Sequence, residues 1–454
     1  MFDTALLSRI QFAFTIGFHI IFPTLNLGLG IFLSIMEYRW LKTQDRLYLN
    51  ICKFWTKVFA LTMGMGIVSG IVMSYQLGTN FPGYTYAVGG VLGSLFAYEV
   101  LTAFFLEAGF LGVMLFGWNK VSPRLHFLAT VLVTLGTTIS AFWIMSANSW
   151  MQTPAGFIKE GGRFIVNDWW QVIFNPSFMP RYIHMLLASY LTACFFVAGI
   201  CAWYLLKKQH QAFAKRCFSL SMWLALIVAP SQIILGDMVG LYVHKHQPLK
   251  TAAMEGLWQT TRGAPLILFG IPDPKSEVNH FEVKIPKLAS LINGHKWDAE
   301  LIGLTTVSPE ERPVVPIVFY GFRIMVGIGV LFLFIALWSL YLRFRNRLFD
   351  NTWLLKTCVL LTPLGFVATL AGWLTAESGR QPWVVYQQLL TNETVAQLSA
   401  QQVAVSLTAF FIVYGIVFSC YLYYVGKLLS HGPAKEELKE NPDSIFTYMH
   451  QEIK

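Results

Sequence analysis

The chain has 454 residues, 55% hydrophobic and only 13% charged, with a formal net charge of +9. Soluble globular chains carry about one quarter charged residues, so this composition excludes a soluble enzyme or binding module and indicates an integral membrane protein. The positive balance lies in short loops between apolar runs and gives no nucleic-acid signal.

A helix crosses a bilayer with about 20 apolar residues. Nine such runs are legible, at 10–36, 54–78, 92–117, 125–147, 181–206, 217–241, 315–341, 355–376 and 402–429. The fold class expected is all-α, a polytopic membrane protein of about nine transmembrane helices. Basic residues mark every second connection: Arg39, Lys42, Arg46 and Lys53, then Lys120 and Arg124, then Lys207, Lys208, Lys215 and Arg216, then Arg343, Arg345, Arg347 and Lys356. The alternate connections carry none in 79–91, Lys159 and Arg163 in 148–180, and Arg380 in 377–401. Basic loops stay cytoplasmic, which puts the N-terminus outside and the C-terminus inside. The first span begins almost at once and is too long for a signal h-region, so no cleavable leader is expected. The six cysteines form no CxxC pair, and neither a disulfide framework nor a thiolate metal site is indicated.

Ionisable and soft-ligand residues inside spans are costly and mark function. The first span carries His19, with Pro23 four positions later. Proline cannot donate to the His19 carbonyl, so a bend is expected there, opening space beside the imidazole. Glu99 and Glu107 sit in the third span, about 12 Å apart along an α-helix and within about 80° of one face. Two protonatable groups stacked in depth suit a proton relay. His184 lies just inside the fifth span and Met325 in the outer half of the seventh, so both fall in the outer leaflet. A His/Met pair closes both axial positions of a haem iron and makes an electron carrier. Core packing of the Met and a helix contact of the His remain open alternatives.

Between the sixth and seventh spans, residues 242–312 form a long outer segment of mixed polarity, with His244, His246, Lys250, Glu255 and Trp258. Loops of this length inside compact proteins are functional or disordered; apolar residues near Lys250 and Glu255 suit a binding site at the membrane edge. Glu377 closes the eighth span and opens Glu377-Ser378-Gly379-Arg380-Gln381-Pro382-Trp383. Its carboxylate can ligate a high-spin iron, and Arg380 can hold haem propionates. An interfacial Glu–Arg pair is the alternative.

Several stretches carry a resemblance over nearly the whole chain: Ser8-Arg9-Ile10-Gln11-Phe12-Ala13-Phe14, Gly78-Thr79-Asn80, Ala103-Phe104-Phe105-Leu106-Glu107, Ala147-Asn148-Ser149-Trp150-Met151-Gln152, Ala202-Trp203-Tyr204-Leu205-Leu206-Lys207, Gly270-Ile271-Pro272-Asp273, Phe322-Arg323-Ile324-Met325-Val326 and Gly379-Arg380-Gln381-Pro382-Trp383. The chain resembles subunit I of the cytochrome bd quinol oxidases; the last two stretches, in this order, are specific together.

The resemblance implies a terminal quinol:oxygen oxidoreductase of an aerobic respiratory chain in the bacterial plasma membrane, reducing oxygen to water with cytoplasmic protons and without pumping. His184 and Met325 match the axial ligands of a low-spin haem b. His19 and Glu377 match the ligands of a high-spin haem b and a haem d, which of them holds which staying open. Arg323, Arg380 and Trp373 are expected beside the haems. Lys250 and Glu255 match quinol-oxidation residues, Glu99 and Glu107 the proton path, and Asp237 extends the proton supply. The implied division is 1–241 with haem ligands, 242–312 as the quinol-binding loop, 315–429 as the last three spans and 430–454 as a cytoplasmic tail. Implied partners are a second large subunit, a small single-span subunit, ubiquinol or menaquinol, O2 and the lipid bilayer; Gly66/Gly70-type faces would suit helix packing between chains. The chain departs from many members in its short stretch between Asp273 and Pro313, and from some in Ser74, where they carry Glu. The first places the chain with a short-loop group; the second is similar to a cyanide-insensitive subgroup, and whether the third haem is d or b stays open. The rival classes are a proton-coupled secondary transporter and a b-type cytochrome without oxygen chemistry.

Overall fold

Side-chain caps set where the first two long helices begin. In the computed structural model, which describes residues 3–433, Asp3 accepts from the Ala5 amide to open α1 (Thr4–Thr43), and Asp45 accepts from Leu47 at 2.9 Å to open α2 (Arg46–Asn80). Gln44, left-handed at φ 54°, makes the turn between them. Each cap satisfies an amide that the first helical turn leaves unpaired. The expected tail at 430–454 lies outside the described residues beyond position 433.

The chain continues through α3 (Pro82–Phe116), α4 (Pro123–Gln152), α5 (Phe178–Leu206), α6 (Gln211–His246), α7 (Pro248–Glu255), α8 (Leu288–Gly294), α9 (Val315–Phe344), α10 (Thr352–Leu361), α11 (Leu364–Ser378) and α12 (Ala400–His431). Among the described residues eight helices are long and apolar enough to cross a membrane; α10 and α11, bent by 41°, make a ninth span. The all-α, nine-span expectation is met, with four short two-stranded antiparallel sheets outside the helices.

Aromatic packing holds the centre. Trp55, Phe59 and Phe195 are fully buried, and Phe195 stacks on Phe332 with centroids 3.8 Å apart, joining α5 to α9. Helices also meet through missing side chains: a Cβ at Gly28 of α1 would lie 2.3 Å from Ala193 Cβ, and one at Gly199 of α5 would lie 1.9 Å from Thr362 Oγ1. Small residues permit such approach where lipid provides no hydrophobic drive. α12 and α3 are the spans least covered by their own chain, with 11% and 17% of their apolar windows buried. Those two faces are left for lipid or another chain.

Several local expectations change. The eighth span, read as continuous over 355–376, is broken at Thr362–Pro363, because a proline cannot continue the ladder. α6 runs to His246, so the outer segment begins at Gln247. That segment is an ordered layer, with α7, α8 and a hairpin of β-strands Leu266–Asp273 and Val278–Ile285. Gly66 and Gly70 face Phe22 and His19 of α1 inside the chain, not an exposed face.

The closest helix contact gives a test of packing. Gly199→Ala must separate α5 from α10, and overpacking of this kind costs about 1–3 kcal/mol. A lower thermal midpoint is expected, whereas Gly64→Ala, with nothing within 4 Å of its added carbon, leaves the midpoint unchanged. Equal midpoints in the two variants would show that the α5–α10 contact yields freely.

Candidate functional site

At the end of the bundle that carries residues 247–312, α4, α5, α7 and α11 converge on one carboxylate. Glu377, in the last turn of α11, accepts through Oε1 from Asn148 Nδ2 at 2.9 Å and Gln152 Nε2 at 3.2 Å, while Oε2 pairs with Arg380. Arg181, near the start of α5, donates to Asn148 Oδ1 at 2.6 Å and Ser149 Oγ at 3.0 Å. Lys250 Nζ donates to Gln152 Oε1 at 2.6 Å. Gln152 therefore bridges the residue expected to meet quinol and the residue expected to ligate iron. Two guanidiniums over one carboxylate leave surplus positive charge, and Arg380 Nη1 is buried with no partner. A buried N–H donor without a partner beside surplus positive charge is costly, so the arrangement suits an added anionic group such as a haem propionate.

Lys250 and Glu255 lie within α7 and are buried, at 4% and 1% exposure. Burial, with Arg181 and Arg380 adding to it against Glu377, holds the Lys250 amine well below the ordinary lysine range. Burial pushes the Glu255 carboxyl up, opposed by its hydrogen bond from Asn293 (2.8 Å) and by Arg323. The two point in different directions: Lys250 toward Glu377, Glu255 toward α8. Arg323, expected beside a haem, donates to the carbonyls of Met254 (2.6 Å), Ile267 (2.8 Å) and Phe319 (3.0 Å), tying α9 to the outer layer. Trp373 is half-buried on α11.

The three neutral candidate ligands share one setting. A Cβ at Gly70 would lie 3.2 Å from His19 Cε1, one at Gly236 3.4 Å from His184 Cε1, and one at Gly372 2.6 Å from Met325 Sδ. His19 Nδ1 engages Ser69 Oγ at 2.9 Å, leaving Nε2 for a metal, as outer hydrogen bonds orient ligating imidazoles. His184 has Nδ1 buried without a partner, and Gln232 lies 3.3 Å from Nε2. Imidazoles beside glycine, with a cationic cluster at hand, fit haem groups.

Glu99 and Glu107 both face α4: Ser140 donates to Glu99 Oε1 at 2.7 Å, and a Cβ at Gly136 would lie 2.7 Å from Glu107 Cγ. A π-helical turn, Val100–Phe104, separates them. Such a turn absorbs one extra residue, so the angle between the two carboxylates falls from about 80° in a regular helix to about 20°. Glu107 also borders an apolar cavity of ≈ 240 Å³ between α2 and α3. Asp237 sits instead at the other end, 3.2 Å from His295 Nε2.

Sequence reasoning missed Arg181, Asn148 and Gln152 as site members. The last two lie in a stretch that carried the resemblance, and Arg181 stood three residues before His184. A charged residue entering a span beside a candidate ligand was the available signal.

Comparisons with known proteins point to one family. The family described as cytochrome bd terminal oxidase subunit I matches residues 7–433. The chain is 36% identical over 422 residues to cytochrome bd ubiquinol oxidase subunit 1 of Bacillus subtilis (strain 168), covering 90% of each. It is 32% identical over 503 residues to cytochrome bd-II ubiquinol oxidase subunit 1 of Escherichia coli (strain K12), covering 96% of this chain and 98% of that one. Among solved structures, the bd oxidase from Geobacillus thermodenitrificans superposes with a TM-score of 0.89 at 31% identity, covering 95% of this chain and 99% of that one.

The cluster around Glu377 has a measurable weak point. Arg181→Met leaves Asn148 Oδ1 unpaired and removes one of the two guanidiniums, and breaking a buried charge network costs about 3–5 kcal/mol. A lower thermal midpoint and lower haem content per protein are expected, with Arg181→Lys intermediate. Wild-type values for both quantities in Arg181→Met would mean that Arg380 alone sustains the site.

Proposed function

The chain belongs to the cytochrome bd terminal oxidase subunit I family, and from that premise we propose that it oxidises quinol at its outer layer and reduces oxygen to water with protons drawn from the cytoplasm, without pumping. The Gln152 bridge between Lys250 and Glu377 is the observation that carries this reading, because it puts the quinol-side and iron-side groups in one hydrogen-bonded unit. Two quinols each release two protons and two electrons, and one O2 takes up the four electrons and four protons to give two waters. His184 and Met325 would hold a low-spin haem b, and His19 and Glu377 a high-spin haem b and a haem d or third haem b, which when bound supply electron carriage and oxygen binding.

The remaining chemistry falls to side chains. A lysine pushed toward its neutral form has a lone pair that can take a proton from a quinol hydroxyl, and a carboxyl pushed up holds its proton more firmly than a free one and can pass it on. Lys250 and Glu255 fit these two tasks on opposite sides of α7. Glu107 and then Glu99 would pass protons along α3 from the end with the basic loops. The basic loops support a cytoplasmic position for that end, with the 247–312 layer on the outer side of a bacterial plasma membrane. A second large subunit would cover α3 or α12, with ubiquinol or menaquinol as donor. Membership of an oxidase family displaces the transporter reading.

Two substitutions test the assignment. Glu255→Gln keeps a partner for Asn293 yet removes the acid, so quinol-driven turnover should fall about 10²-fold while oxygen uptake from a small artificial donor persists. Equal losses with both donors would make Glu255 structural. Met325→Leu should abolish the low-spin haem signature in reduced-minus-oxidised spectra and lower that haem's potential; an unchanged low-spin spectrum removes Met325 as a ligand.

A further inference from the structure

A buried pair at the opposite end of the bundle has no part in the site above. Glu37, near the end of α1, has Oε1 2.6 Å from His126 Nδ1 and accepts through Oε2 from Thr130 Oγ1 at 2.7 Å. His126 Nε2 lies 3.1 Å from the Met114 carbonyl of α3. Both residues are 1% exposed. Titratable groups of α2 packed about them include Cys52 and Lys53: Cys52 faces Glu37, and Lys53 lies over the Trp118 indole, whose ring centroid is 3.8 Å from that of His126 in a tilted arrangement.

Hydrogen-bond chemistry defines what this pair holds. A carbonyl only accepts, so His126 Nε2 carries a hydrogen. One further hydrogen lies between Nδ1 and Oε1, as imidazolium and carboxylate or as imidazole and carboxylic acid. Either arrangement is net neutral and leaves both partners satisfied, which makes burial tolerable. The pair is thus a store of one exchangeable proton.

A row of hydroxyls leads from it to the relay. Thr130, Thr134, Thr137 and Ser140 follow His126 on α4 at helical spacing, and the 14 residues from His126 to Ser140 rise about 21 Å. Thr134 Oγ1 lies 3.4 Å from Ser34 Oγ of α1, Thr137 lies beside Glu107 with its hydroxyl donating to the Val133 carbonyl at 3.0 Å, and Ser140 donates to Glu99. Groups one turn apart are separated by about 5.4 Å, a gap that one water closes with two hydrogen bonds of about 2.7 Å. Gly30 keeps α1 close: a Cβ there would lie 2.8 Å from Thr134 Oγ1.

We propose that Glu37 and His126 form a proton-holding pair that loads Glu107 through the α4 hydroxyl row. This rests on the reading of Glu107 as a proton donor to oxygen reduction. One proton leaves the Nδ1–Oε1 position, passes by way of the Thr130 hydroxyl and bridging water to the Glu107 carboxylate, and the pair regains one from the basic end. Glu37 and His126 act through Glu107 and touch no substrate.

The test uses the intact oxidase in sealed vesicles, comparing Glu37→Gln, Thr134→Val and Glu107→Gln by single-turnover voltage generation with O2, together with haem content. Glu37→Gln is expected to keep its haems, slow the voltage phase about tenfold and raise its solvent isotope effect, with Glu37→Asp restoring part of the rate. Thr134→Val removes one hydroxyl without touching the pair and should slow the same phase, so it decides the matter if Glu37→Gln does not assemble. Slow Glu107→Gln with full-rate Glu37→Gln and Thr134→Val would make the pair a helix lock and overturn the inference alone. Full rate in Glu107→Gln would overturn the reading beneath it, and the inference with it.

Discussion

The enclosure of Glu377 is the constraint on which the segment end of this bundle depends. A carboxylate at the edge of hydrocarbon must be matched in charge and in hydrogen bonds. Its partners come from four places in the chain: Asn148 and Gln152 on α4, Arg181 on α5, Arg380 after α11 and, through Gln152, Lys250 on α7. Satisfying one charge thus brings three spans and the outer layer into register. Because the cations outnumber the carboxylate, the same enclosure leaves room for a further anion.

The approach of backbone to side chain is the second organising feature. His19, His184 and Met325 each meet a glycine of the neighbouring helix. A flat ring group needs bare backbone on one side and a donor atom on the other, and glycine with an imidazole or thioether supplies both. At the opposite end, Gly30 and Gly136 do the same for the polar face of α4. The π-helical turn in α3 completes that face by bringing Glu99 and Glu107 nearly into line.

The layer formed by residues 247–312 joins these features to solvent. Arg323 ties three carbonyls of three separate elements, and Glu255 is held by Asn293 of α8. The stretch that looked like a mixed-polarity loop is therefore part of the packed structure, and Lys250 and Glu255 are reached from within it.

The amino-acid sequence by itself determined what depends on local composition and order. Apolar run length specified the nine spans, and basic loops gave the sidedness expected of them. Ionisable residues within apolar runs singled out His19, Glu99, Glu107, His184 and Glu377, because such residues survive in hydrocarbon only with partners. Two short motifs in the right order pointed to the family that the comparisons then identified. Only the tertiary structure decided which partners those residues have. Arg181, Asn148 and Gln152 were ordinary polar residues until α4, α5 and α11 met, and Glu37 and His126 are 89 positions apart. The break at Thr362–Pro363 and the π turn left no hydropathy trace, since both alter direction and phase without altering polarity. Hydrophobic pattern reads depth and length; the pairing of buried charges is a long-range property, settled when helices distant in sequence pack side by side.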